Sequence, residues 1–438
     1  MESLVADPAN LMQVAEGKTK IIFQIKGHDD FVLIRSKDQI TAFNAARKND
    51  LKGKGRFANK TTANVFKLLN TIGKLAFSYV QANRMKAWNG TVAGLATHFV
   101  YEAGDNEFVA RRCEMIPIEW VARRIATGSF LKRNPGVQQG YRFKQLKMET
   151  FFKYSDEQIE CANFEFNGLK IGKAEVCHNI LHTSTKMKNM TSVIFKVLEK
   201  CWNKHNCVLI DMKVEFGVSS DGQILLADVI DNDSWRVWPH GDRRLQLDKQ
   251  FYRDMKEVTS EALQELISNY EKVMELTAGF CSTTPLCRAV IIMGSPSDRD
   301  HCERISASCK LLGIASIPRI SSAHKTTHET LEILSEYEND EIPTVIIAVA
   351  GRSNGLGPVL AGNSTLPVIN CPPVNESNMM LDIWSSVRMP SGIGCSTVFG
   401  AEEAALCAAK FLASHDYMIF GKILCQQLSN LVKLQVSF

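Results

Sequence analysis

Not one Cys-x-x-Cys pair occurs among the 13 cysteines of this 438-residue chain. The count is odd, and it fits neither a disulfide framework nor a zinc site, so a reducing compartment is expected. No apolar run reaches membrane-spanning length. The opening Met1-Glu2-Ser3-Leu4-Val5-Ala6-Asp7 is acidic early and lacks an apolar core of signal-peptide length, so a cytoplasmic protein is expected. An excess of either charge is also missing: 51 Lys and Arg stand against 47 Asp and Glu, a net +4. That balance gives no general attraction to nucleic acid or a membrane surface, so anionic ligands must be met by local clusters. Repeats and low-complexity tracts are absent. What is there, 45% apolar and 22% charged residues, is a globular composition. The length calls for two or three domains.

Residues 1–110 alternate short β-rich runs with charged turns; Ile21-Ile22-Phe23 and Phe31-Val32-Leu33-Ile34 read as strands of a hairpin-rich sheet. Asn59 to Leu69 has helical spacing, and Ser184 to Trp202 reads as a long amphipathic helix. Cys207–Phe216 and Gln223–Val229 read as two strands joined by a Ser-Ser-Asp-Gly turn. Without a regular strand–helix–strand rhythm, residues 1–276 are expected to be α+β. A helix over 259–276 precedes the best linker, residues 277–287. From Arg288 the rhythm changes. Arg288–Met293, Thr344–Val349 and Leu366–Asn370 are buried parallel-strand patterns, so residues 288–438 are expected to form a doubly wound, Rossmann-like three-layer α/β domain with ligands at the strand C-terminal ends.

Each half carries its own cluster of candidate residues. Glu16-Gly17-Lys18-Thr19-Lys20 invites a Walker A reading, which fails because the position five before Gly17 is Met12. A solvated turn explains the segment as well, although two lysines beside a glycine turn suit a nucleotide's phosphates. Lys213 and Glu215 are two apart in a strand and share a face, with Asp228 expected on the next strand across the hairpin. Two carboxylates so placed suit Mg²⁺, and an ordinary cross-strand charge cluster is the alternative. Arg123, Ser129, Arg236, Lys249 and Arg253 add anion-binding groups, each of which alone is open to a surface role. In the second half, Gly294-Ser295 ends a strand and Asp298 opens a helix. Ser322-Ala323-His324-Lys325 sets an imidazole beside a cation, and Gly351 to Gly357 follows a third apolar strand. The last run is not the Gly-x-Gly-x-x-Gly dinucleotide fingerprint, so NAD is not expected. Three strand-end loops of small and polar residues point to one crevice.

The segments EGKTK, SKDQITAFNAARK, CEMIPIEWVARRIATGSFLKR, DMKVEFG and DNDSWRVWP, in that order, resemble the SAICAR synthetase family over roughly residues 12–265. The resemblance implies an ATP-grasp-like fold of two subdomains. Lys18 and Lys20 would meet ATP phosphates, Met115 would sit at the adenine hinge, and Glu215 with Asp228 would hold Mg²⁺. Arg123, Ser129, Lys213 and Arg236 would grip carboxylated aminoimidazole ribotide (CAIR), with Lys249 and Arg253 as further candidates. Relative to that family, residues 74–92 look like an extra segment, expected to be an excursion that spares the site.

GSPSD, SSAHK and AVAGRSNGLGP resemble AIR carboxylase, in its CO₂-using animal class, over about residues 288–425. That resemblance places Ser295, Asp298, Ser322, His324, Lys325 and Ser353 around aminoimidazole ribotide (AIR). Gly351, Gly355 and Gly357 would shape the CO₂ and phosphate region. His324 would be the proton shuttle, with no ATP, biotin or metal needed at this centre. Pro296 and Thr326-Thr327-His328 depart from the family pattern. Together the halves resemble the animal bifunctional enzymes of purine synthesis, a carbon–carbon lyase joined to a carbon–nitrogen ligase. That implies the substrates AIR, CO₂, CAIR, L-aspartate and ATP, and a homo-octamer built through the C-terminal domain, for which the apolar Cys407 to Leu434 region would offer packing. A mutase-type C-terminal domain and a scaffold with a disabled ligase half are the rival readings.

Overall fold

The computed structural model of the chain describes residues 2–42, 46–82, 95–153, 158–159, 180–281, 284–375 and 377–436. The chain divides into two compact units, Met1–Cys281 together with Leu428–Phe438, and Ser282–Gln427.

In the first unit a short helix α1 (Glu2–Val5) precedes β1 (Leu11–Glu16), β2 (Lys20–Ile25), β3 (His28–Ser36) and a hairpin of β4 (Gln39–Ala42) and β5 (Arg47–Asp50). Then come α2 (Lys54–Ala82), β6 (Phe99–Gly104), β7 (Glu107–Arg111), β8 (Cys113–Ile125), α3 (Ser129–Arg133), β9 (Arg142–Phe152) and β10 (Gln158–Ile159). The series closes with α4 (Ile180–Lys204), β11 (Cys207–Ser219), β12 (Ile224–Ala227), β13 (Trp235–Pro239), α5 (Gln250–Asp254) and α6 (Ser260–Ala278). Among the described residues one antiparallel sheet runs β1-β2-β3-β7-β6 and a second runs β10-β9-β8-β11-β12, with β13 also paired to β11. This is the α+β arrangement expected.

The cores follow from the side-chain periods. Ile25, Leu33 and Val109 bury together on one side of the first sheet. Met187, Met190, Ile194, Leu198 and Cys201 recur at three- and four-residue spacing along α4, and all are buried. Trp202 ends that stripe with its ring edge-on to both Trp235 and Phe280. Two expectations need correction. The helix taken to end near Leu69 continues to Ala82, so residues 74–82 of the supposed excursion extend it; residues 83–94 lie outside the described residues. Asp228 is not on a strand: β12 stops at Ala227, and Asp228 turns out of it with φ 58°.

The second unit holds β14 (Arg288–Met293), α7 (Arg299–Leu312), β15 (Ala315–Ile320), α8 (Thr327–Glu338), β16 (Thr344–Val349), α9 (Leu356–Gly362) and β17 (Val368–Asn370). Two short helices α10 (Met379–Asp382) and α11 (Trp384–Val387) precede β18 (Ser396–Thr397), α12 (Ala401–Leu412) and α13 (Tyr417–Val436), which begins in this unit and whose residues from Leu428 on belong to the first. The sheet is parallel throughout, in the order β15-β14-β16-β17-β18. All six residues of β14 and of β16 are buried, as unbroken apolar runs in the middle of a parallel sheet require. Asp298 stands at the N-cap of α7, as expected. Its side chain makes no capping bond to α7; Ser295 instead accepts from Ser297 N and closes a 3-10 turn over Pro296–Asp298.

Candidate functional sites

The first unit gathers charge from both of its sheets. Glu119 on β8 stands directly opposite Glu215 on β11, a pairing of like charges that repels unless a cation intervenes. Lys213 supplies it, with Nζ 2.7 Å from Glu119 Oε1 and 2.7 Å from Glu215 Oε1. The other oxygen of Glu215 meets Lys153 at 2.6 Å, and Lys20 at the start of β2 meets Asp228 Oδ1 at 2.5 Å. Burial alone raises the Asp228 carboxyl, but Lys20, Lys213 and Lys153 outweigh it and hold the group well below the usual carboxylate range. Burial likewise depresses the Lys213 ammonium, and Glu215, Glu119 and Asp228 more than restore it. The left-handed turn at Asp228 is fastened by His98, whose Nε2 lies 2.9 Å from the Asp228 carbonyl oxygen. Burial pushes the His98 imidazole down to about 4, so it is neutral at physiological pH and Nε2 carries the proton.

A second cluster lies on the same sheet. Arg123 is buried between Glu149, 2.5 Å from its Nε, and Asp211. Arg236 Nη1 meets the same Asp211 oxygen at 2.8 Å, and Arg133 meets Glu149 at 2.7 Å. Gly128, with φ 58°, lets the guanidinium of Arg236 pass: a Cβ there would sit 2.8 Å from Nη2. Ser129 follows at the exposed start of α3.

Of the residues expected at this centre, Lys20, Lys213, Glu215 and Asp228 come together, as do Arg123, Arg236 and, through Gly128, Ser129. Lys18 is exposed on the turn before β2, and Met115 is part-exposed on β8. Lys249 is turned toward Asp233 at 2.9 Å, and Arg253 lies exposed beside Gln250. Glu119, Lys153, Asp211, Glu149 and His98 escaped the sequence reading. For Asp211 a signal existed: Asp211, Lys213 and Glu215 alternate along one strand and so share a face. For Lys153 and His98 there was none.

In the second unit the loops after β14, β15 and β16 meet at one sheet edge. Backbone bonds hold them in step: Gly294 N donates to Val349 O at 2.9 Å, and Ser321 N donates to Met293 O at 3.0 Å. The imidazole of His324 lies on the glycine run. A Cβ added to Gly355 would stand 2.4 Å from His324 Nε2, so glycine is required there. One added to Gly357 would stand 1.8 Å from Asn370 Oδ1. Gly351 is less confined, its nearest neighbour being Pro373 at 3.5 Å. Ser295 shares a 2.8 Å contact with Ser297, and burial raises the Asp298 carboxyl. Ser353 and Lys325 are exposed beside these groups, and Ser322 is half-buried. The departures after Lys325 fit the fold. Thr326 Oγ1 meets Ser321 Oγ at 3.1 Å, Thr327 Oγ1 donates to Ala323 O at 2.6 Å, and His328 faces Glu332 on the surface.

Among the described residues there is no group of three or more His, Cys, Asp or Glu able to hold a metal ion, and no helix is long and apolar enough to cross a membrane. Residues 13–270 match the family model described as SAICAR synthetase, and residues 288–430 match the one described as AIR carboxylase. The chain is 55% identical to a Caenorhabditis elegans protein named "Probable multifunctional protein ADE2", covering 99% of this chain and 97% of that one. It is 48% identical to the "Bifunctional phosphoribosylaminoimidazole carboxylase/phosphoribosylaminoimidazole succinocarboxamide synthetase" of Homo sapiens, over 96% of this chain and 94% of that one. A solved SAICAR synthetase in complex with ADP covers 61% of this chain and 98% of its own, at 28% identity and a TM-score of 0.47.

Proposed function

The chain belongs to the SAICAR synthetase family through residues 13–270 and to the AIR carboxylase family through residues 288–430, and from that premise we propose how its two centres work. The protein is a bifunctional enzyme of purine biosynthesis. It carboxylates AIR with CO₂ to CAIR, then joins CAIR to L-aspartate at the expense of ATP, releasing SAICAR, ADP and phosphate. The observation that carries the ligase assignment is the convergence of Lys20, Lys153 and Lys213 on Glu215 and Asp228 from both sheets of one unit.

A carboxylate is a poor acyl donor because its oxygen leaves badly. Transfer of the ATP γ-phosphoryl to the CAIR carboxylate gives an acyl phosphate, and the aspartate amine then displaces phosphate. The work for the protein is positioning and neutralising charge. Lys18, Lys20 and Lys153 take ATP phosphates, while Arg236, Lys213, Ser129 and, behind them, Arg123 hold CAIR. Asp211 fixes the forks of both arginines. Lys249 and Arg253 are the outlying candidates for CAIR. Glu215 and Asp228, both close to Lys153 and Lys213, would hold Mg²⁺ in exchange for lysine contacts: both are hard-oxygen ligands, and two carboxylates would leave the other positions to phosphate and water. The ion, when bound, supplies positive charge against the phosphates.

At the carboxylase centre AIR is an enamine. Its carbon 4 forms the new bond to CO₂, one C=O pair moves onto oxygen, and the ring proton at carbon 4 leaves to restore aromaticity. His324 takes that proton, in the exposed place that lets it pass to solvent. Ser295, Asp298, Ser322, Lys325, Ser353 and the glycine run surround the ribotide.

A homo-octamer built through the second unit is part of this reading. Its α12 and α13 bury Ala404, Ala408, Leu412, Ile419 and Ile423, so that apolar region is largely core. The free apolar surface lies on α10 and α11, where Met380 and Leu381 are 74% and 79% exposed and Trp384 is 56% exposed. A reducing, cytoplasmic setting is part of this reading. The test is a two-stage assay on the purified chain. AIR with bicarbonate, without ATP, should give CAIR; ATP, Mg²⁺ and aspartate should then give SAICAR. No CAIR in the first stage would favour a mutase-type centre. CAIR left unconsumed in the second would leave the ligase half a scaffold.

A further inference from the structure

Beneath the glycine turn of the carboxylase centre lies a set of buried amides that the chemistry above does not use. Asn354 is 4% exposed and Asn370 is 0% exposed, and amides are buried at a cost unless their donors and acceptors are met. Here they are met in one pattern. Asn354 Oδ1 accepts from Gly357 N at 3.0 Å, and its Nδ2 donates to Asn370 Oδ1 at 3.2 Å and Ser386 Oγ at 3.0 Å. Asn370 Nδ2 donates in turn to the Ser386 carbonyl at 3.2 Å. On the other side, Ser385 Oγ accepts from Asn354 N at 3.0 Å and donates to the carbonyl of Arg352 at 2.6 Å. Arg352 has φ 54°, a conformation that a non-glycine residue keeps only when its surroundings hold it.

The turn is thus pinned at residues 352, 354 and 357, and it has no slack. Asn370 Oδ1 fills the place of a Cβ on Gly357, and the His324 ring fills the place of a Cβ on Gly355. The backbone of 355–357 is thus a thin wall, held against the imidazole at Gly355 and against the amide pair at Gly357.

We infer that Asn354 and Asn370 are positioning residues for carboxylation. They fix the Gly355–Gly357 backbone, and that backbone sets where the His324 imidazole rests relative to the carbon that loses its proton. Neither touches substrate; both act through the turn. The inference rests on the carboxylase reading above.

The experiment uses the full chain, with AIR and CO₂ varied separately, the pH profile of kcat recorded, and ligation of supplied CAIR as the internal control. Asn354→Ala should lower carboxylation kcat by about 100-fold, the scale of a small misplacement of a catalytic group. The AIR KM should stay within about 2-fold, because a residue that touches no substrate and acts by placing the base affects the rate and not ground-state binding. The limb of the pH profile that reports His324 should move, and ligation should be unchanged. Asn354→Asp keeps the shape and the acceptor for Gly357 N while removing both side-chain donations, and it decides the matter if the alanine variant does not fold. Gly357→Ala should reproduce the defect from the opposite side, and pairing it with Asn370→Ser, which vacates the space, should restore part of the rate. A wild-type kcat and pH profile in the Asn354 variants would overturn the proposal. So would a defect confined to AIR KM, which would make the pair part of ribotide binding. A wild-type chain that makes no CAIR from AIR and bicarbonate would instead overturn the carboxylase reading itself.

Discussion

The two centres proposed above are built in opposite ways. The ligase centre is built from long charged side chains that neutralise one another: three lysines against three carboxylates in one cluster, and three arginines against two in the next. The carboxylase centre is built mainly from backbone, small side chains and buried amides, with a single imidazole laid over glycine and only Asp298 and Lys325 as charged members. The difference follows from the chemistry. A triphosphate and a carboxylate must be brought together against their own repulsion, which calls for many cations kept in place by counter-charges. CO₂ is small and uncharged, and what it needs is a shaped surface beside a base.

The comparison breaks first where buried charge is removed. Glu215 is 1% exposed and answers both Lys213 and Lys153. Glu215→Ala strips both lysines of a partner at once, so a loss of about 3 kcal/mol in unfolding free energy is expected for the first unit, read by denaturant titration. SAICAR formation should fall by more than about 1,000-fold, the loss of most of the electrostatic contribution, while carboxylation of AIR persists. The matching change in the other half is His324→Ala. Its side chain is exposed, so the melting temperature should hold, and carboxylation should fall between about 100- and 10,000-fold, the usual range for a lost acid–base group. Ligation of supplied CAIR should be untouched. Loss of both activities in either folded variant would mean that the centres are not separate.

A finer test contrasts glycines. Gly355→Ala drives a methyl to within 2.4 Å of His324 Nε2, whereas the nearest atom to a Cβ on Gly351 is 3.5 Å away. Carboxylation should drop by about 10- to 100-fold in the first and hardly change in the second. Equal effects would mean that His324 does not depend on the wall beside it.

How much of this was legible beforehand depended on distance along the chain. Lys213 and Glu215 share a strand, so the period of two put them on one face before any fold was known, though Asp211, two residues earlier on that face, escaped it. The buried runs of β14 and β16 announced a parallel sheet by their unbroken apolar residues. Lys20 and Asp228 are 208 residues apart, and only the packing of two sheets brings them to contact. The role of Asn370 was hidden for a different reason. Ile369-Asn370-Cys371 reads as the end of a strand, and the reason a glycine is needed at 357 appears only when that amide fills the missing Cβ. The end of α2 was placed too early: the buried stripe runs past Leu69 to Ile72, and the helix continues to Ala82.

A pH experiment sharpens the ligase side. Asp248 is buried between β13 and α5, where it accepts from Val237 N at 3.2 Å and Gln250 N at 2.9 Å. Burial, with Asp211 nearby, pushes its carboxyl up to about 7 against the pull of Arg236 and the two backbone donors. The folded state then holds a proton that the unfolded chain has released between about pH 4 and 7, so stability falls as pH rises through that window, by no more than about 1.4 kcal/mol per unit. Unfolding titrations between pH 5 and 8 should show wild type losing stability relative to Asp248→Asn. A constant difference would mean that the two amides keep Asp248 ionised throughout.

The smallest expected effect separates arginines that look alike in sequence. Arg236 shares Asp211 with Arg123 and is threaded past Gly128, while Arg253 lies exposed with a 3.5 Å contact to Gln250. An exposed, loosely held guanidinium contributes at most a few tenths of a kcal/mol, so Arg253→Ala should alter the CAIR KM by less than about 2-fold. Arg236→Ala should raise it by about 10-fold or more, since a charge-assisted contact is lost and Asp211 keeps one cation fewer. The ratio of the two KM values is therefore a direct measure of how far the ligase centre extends. A rise in Arg253→Ala comparable with that in Arg236→Ala would carry the CAIR site out along α5, and would mean that exposed charge serves this half of the protein as much as buried charge does.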